Sequence, residues 1–184
     1  VALGGSPRSP EVLDRRCIKL IEAGSPGGVQ PYHAARTMDL PKADEFIKSV
    51  IAAIDRSAMA AVCALADALN GTGQQIGCCG IVLASGRALP SLEATLRSHA
   101  MVHTAEGELY RAAIARAAKN LNWRRVRVPE RELYKIAAKQ LCIPEPKLKN
   151  RITEMGRALG SPWSADEKCA TLVAWLALVG FETP

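Results

Sequence analysis

Apolar residues in this chain recur mainly at helical spacing, broken by two short alternating runs, and the pattern predicts a mixed α/β protein. From Ser9 the sequence places Pro10 at a first helical position, and Val12, Leu13, Cys17, Leu20 and Ile21 follow at helical spacing, so residues 9–23 read as an amphipathic helix. Residues 25–41 hold several Pro and Gly and few apolar side chains, which reads as a linker or surface arm. Within it, His33 stands alone and is assigned no role. Over residues 42–69, Phe46, Ile47, Val50, Ile51, Ile54, Met59, Val62, Leu65 and Leu69 fit one helix face in an alanine-rich setting. The rival reading ends that helix near Ile54 and makes residues 60–69 a strand, turned by Asn70-Gly71-Thr72-Gly73.

The second half alternates elements. Residues 74–84 read as a strand closed by Ser85-Gly86, and Ser91 caps a short helix reaching Arg97. Residues 100–105 read as a buried strand, 108–121 as an alanine-rich helix and 124–128 as a strand stopped by Pro129. Helices over 130–141, 145–159 and 165–179 complete the chain, the last of them largely apolar. The expected organisation is an N-terminal helix and linker arm, residues 1–41, before one α/β domain, residues 42–184.

Composition adds exclusions. No uninterrupted apolar run approaches the roughly 20 residues that span a bilayer, and residues 1–10 lack the apolar core of a secretory signal, so a soluble, cytoplasmic protein with no membrane partner is expected. The six cysteines are scattered without a CxxC pair, which argues for free thiols and against structural zinc or a disulfide framework. There is no GxxxxGK and no GxGxxG after a strand, which sets aside P-loop nucleotide hydrolysis.

Charge is local. From Arg111 through Arg157 there are 13 Lys/Arg and 4 Glu, a net of +9, so the rest of the chain sums to −3 to give the overall +6. Arg124, Arg125 and Arg127 cluster on one expected strand, and Lys135, Lys139, Lys147, Lys149 and Arg151 follow on the next helices. This is the footprint of a phosphate-binding face, or of a solvated helical face that meets an acidic protein partner.

Candidate chemistry lies in acids and histidines. Glu106 and Glu108 sit near one expected element end and Asp166 in the first turn of the last helix, while Asp55 lies in the long apolar segment. His99 and His103 are spaced i, i+4, with Glu106 a turn further on. If that segment is helical they share a face and can form a metal site or an acid/base pair; if it is a strand the two imidazoles lie far apart.

The order of a first acid, a turn, an acid at a strand end, helix, strand and acid-bearing last helix resembles the ribonuclease-H-like superfamily, in its RuvC-like resolvase branch, over about residues 54–178. The resemblance implies a mixed sheet with flanking helices. It also implies a divergent or vestigial two-metal nuclease site in which Asp55, Glu106 or Glu108, and Asp166 ligate Mg²⁺ or Mn²⁺, with His103 beside them and nucleic acid as partner. Cys169 stands where that family carries a further acid. Two other functions stay open: a non-catalytic scaffold presenting the basic face, and a small-molecule metal hydrolase using His99, His103 and Glu106.

Overall fold

The computed structural model describes residues 1–21, 24–84 and 88–182; the expected turn at Ser85-Gly86 lies outside them. In chain order the elements are β1 (Ala2–Ser6), β2 (Ser9–Asp14), α1 (Pro31–Ala35), α2 (Leu40–Asn70), β3 (Cys78–Leu83), α3 (Leu92–Arg97), α4 (His99–Asn120), β4 (Arg124–Pro129), α5 (Glu130–Leu141), α6 (Glu145–Arg157) and α7 (Ala165–Leu178). The fold is therefore mixed α/β, with two small sheets among the described residues. β1 and β2 form an antiparallel hairpin, and β3 and β4 pair in parallel with Cys78 opposite Arg124 and Leu83 opposite Pro129. Parallel neighbours need a crossover, and α3 and α4 supply it.

Three expectations are corrected. Residues 9–14 are strand rather than the start of a helix. Tertiary bonds hold the hairpin: Trp175 Nε1 donates to the Pro7 carbonyl at 2.8 Å, and Arg151 donates to the Arg8 carbonyl at 2.5 Å. Residues 100–105 open α4 instead of forming a strand, because the Ser98 side chain caps the helix by accepting from Met101 N–H and leaves no break before Asn120. Asn70-Gly71-Thr72-Gly73 turns no hairpin but ends α2, with Gly71 N–H donating to Asp67 and Gln74 N–H to Leu69. The whole of residues 42–69 is thus helical, as alanine's propensity favours.

No uninterrupted apolar run reaches membrane-spanning length, yet α2 has a high average hydropathy. An 18-residue window of α2 averages a hydropathy of 1.6 with 17% of it buried, so this helix is long and apolar enough to cross a membrane by length and composition. The alanines raise the average even though Asp55 and Arg56 interrupt the run.

Two hydrophobic cores organise the chain. In the first, α1, α2 and α4 meet through Tyr32, Ile47, Ile54, Val62, Val102 and Leu109, with Ala43, Ala58, Ala105 and Ala113 allowing close approach of the helices. The second joins β4, α5, α6 and α7 through Val126, Leu133, Leu148, Ile152, Leu172 and Trp175. Gly80 lets β3 lie directly on α7, since a Cβ there would sit 2.6 Å from the Val173 carbonyl oxygen. The N-terminal segment is built into both cores: Leu3 of β1 packs against the second, and Tyr32 of α1 lies inside the first.

Candidate metal centre

α4 sets the geometry of the site. His99 is its first residue, His103 follows one turn later on the same face, and Glu106 another turn on. The rings of His99 and His103 approach with their Nε2 atoms 3.0 Å apart. His33, on α1, completes the group, its ring centroid 4.7 Å from that of His103 and 5.7 Å from that of His99. One ligand nitrogen from each of the three imidazoles lies within 4.8 Å of the others. A tetrahedral zinc ion with metal–nitrogen bonds of about 2.0–2.1 Å requires nitrogens roughly 3.3 Å apart, so the His99–His103 pair is close to that spacing and His33 needs a modest inward movement.

Glu106 anchors His33. Its Oε1 accepts the His33 backbone N–H at 3.1 Å and lies 3.4 Å from His33 Nδ1. The side chain is 90% buried, and Oε2 has no hydrogen-bond partner among the described residues. Burial first, and then the charge on Glu106, raise both the Tyr32 and Tyr110 hydroxyls above their ordinary pKa. Tyr110 also donates to the Val29 carbonyl at 2.7 Å, a second tie from α4 to the segment that carries His33. An Nδ1–H donated to a carboxylate leaves Nε2 with a free lone pair, and this second bond is what fixes tautomer and ring orientation in metal-ligating histidines.

His99 and His103 are exposed and His33 is half-buried, so the group opens to solvent on one side. Three protein ligands and an open position distinguish catalytic zinc sites from structural ones, which close with four.

The acids expected to gather take separate positions. The Asp55 carboxylate is bound through both oxygens by Arg116 of α4, at 2.6–3.0 Å. Glu108 lies two residues beyond Glu106 and so projects from another side of α4, where its Oε1 accepts from Ala84 N–H at 3.4 Å, next to β3. Asp166 is exposed in the first turn of α7, beside the capping box formed by Ser164 and Glu167. Of the residues singled out in the sequence, Glu106 and His103 are the two brought into one cluster, together with His99. His33 was missed, because no local pattern joins it to α4 across the long intervening chain, yet one signal was present: the chain has only three histidines.

The basic residues divide likewise. Arg124 is half-buried and donates to the carbonyls of Ala177, in the last turn of α7, and Phe181, just beyond it. Arg151 stacks on Trp175, and Lys149 lies over the Tyr134 ring. Arg125, Arg127, Lys135, Lys139 and Lys147 have exposed side chains. No protein-family model matches the chain, and no curated protein or solved structure does.

Proposed function

We propose that this protein is a metal-dependent enzyme acting on a small molecule, of the hydrolase kind, with a divalent transition ion held by His33, His99 and His103. The observation that carries this reading is the convergence of three imidazole nitrogens around one point, with a buried carboxylate behind one of them. All-nitrogen donor sets suit Zn²⁺, Cu²⁺ or Ni²⁺ better than Mg²⁺, which takes oxygen. An ion in such a site polarises a bound oxygen and lowers the pKa of water. The chain's own part is to orient: Glu106 holds the His33 tautomer, α4 sets the His99–His103 spacing, and exposure on one side admits substrate.

Zinc titration of the full chain against a chromophoric chelator tests this. One equivalent should bind per chain, and His99→Ala and His103→Ala should each remove it; stoichiometry unchanged in both variants would overturn the assignment.

A second reading, a nucleic-acid-directed protein of ribonuclease-H-like fold using Mg²⁺ or Mn²⁺, draws support from the exposed Arg125, Lys135, Lys139 and Lys147. Its first acid, Asp55, would have to give up Arg116 to reach a metal. Binding of branched duplex DNA that weakens steeply with salt would favour it; no binding at low salt would remove it.

A further inference from the structure

The charge around the histidine group says what its open side can take. Imidazoles add no charge as metal ligands, so a divalent ion held by these three would keep its full +2, with the Glu106 carboxylate behind His33. Among the described residues, Glu93 pairs with Arg97 at 2.6 Å and Asp39 with Lys42 at 2.8 Å, while Glu108 faces Ala84 N–H and Arg111. Positive potential accumulates instead. His99 begins α4, a 22-residue helix, so the positive end of its dipole lies at the group. Arg36, one turn beyond His33, is exposed and donates through Nε to the carbonyl of Leu96, which lies three residues before His99. That bond makes Arg36 a bridge between the two segments that supply the ligands, and among the described residues its terminal N–H groups make no hydrogen bond.

We propose that the open side of the histidine centre is an oxyanion subsite: the metal position and Arg36 together take a phosphate or carboxylate group of the substrate. This rests on the metal-centre reading and narrows it to anionic substrates. An oxyanion suits both partners, since it replaces solvent at the metal with one oxygen and accepts charge-assisted bonds from a planar guanidinium with another. A neutral ester or amide would use only one of them.

The experiment uses the full chain loaded with Co²⁺, whose visible absorption reports ligand changes at the metal. Inorganic phosphate and acetate are titrated separately, against chloride at equal ionic strength. A saturable spectral shift is expected with phosphate, acetate or both and not with chloride, and which anion shifts it assigns the group. Arg36→Gln should weaken that anion by roughly tenfold while leaving Co²⁺ affinity unchanged, and Arg36→Lys should recover part of the loss. A Co²⁺ spectrum that neither anion moves overturns the subsite and leaves the metal centre standing, as does anion binding equal in Arg36→Gln and the unsubstituted protein. Failure to bind Co²⁺ at His33, His99 and His103 overturns the metal centre itself and the subsite with it.

Discussion

Glu106 holds His33 twice through one oxygen, accepting its backbone N–H at 3.1 Å and standing 3.4 Å from its Nδ1, while the other oxygen is buried without a partner. A buried carboxylate oxygen left unpaired costs about 1–3 kcal/mol or more, so this arrangement is poor as a stability device and sensible as a means of orienting a ligand.

Glu106→Gln separates the two. The amide keeps the shape and an acceptor for His33 while removing the buried charge. Its metal-free form should melt within a few degrees of the unsubstituted protein, or above it, yet bind zinc roughly 10- to 100-fold more weakly. Thermal melts with and without zinc read both quantities. Equal zinc affinity in the two proteins would deny Glu106 any positioning role.

Gly80→Ala tests the contact between β3 and α7. The added methyl group meets the Val173 carbonyl oxygen at 2.6 Å, and the atoms it meets are all backbone, so relief requires the strand or α7 to shift. Urea unfolding should show a loss of about 1–3 kcal/mol or more. Because α7 belongs to the second core and the histidines border the first, zinc stoichiometry should stay at one per folded chain.

Cys79 gives the fold an alkaline limit. Burial is the main cause that pushes its thiol up to about 11, from an ordinary value of 9.0. The folded state therefore keeps a proton that the unfolded state releases. The stabilisation is complete below about pH 9 and is lost as pH rises from there through about 11, by as much as about 2 kcal/mol. Denaturant midpoints between pH 8 and 11 should fall more steeply in the unsubstituted protein than in Cys79→Ala. The native thiol should also react slowly with alkylating reagents at pH 8.

What sequence could and could not reveal follows from the range of the forces involved. Strand β4 was legible from the alternation of Arg124, Val126 and Val128, and α5 to α7 from caps and stop signals such as Ser164 and Pro144, because these preferences act over a few residues. Residues 9–14 misled for the opposite reason. Their spacing fits a helix, and the competing strand is held by Trp175 and Arg151, more than 140 residues away. Likewise, in α4 the spacing of His99, His103 and Glu106 was visible on paper, and the helix that Ser98 caps turned it into a shared face. Chain chemistry by itself determined the mixed α/β character, the local excess of positive charge and two of the three histidines in the group. Only tertiary packing decided that Asp55 would be bound by Arg116 and that His33 would close the cluster. Both outcomes depend on how α1 and α2 seat on α4, a sum of many distant contacts that no single stretch of sequence contains.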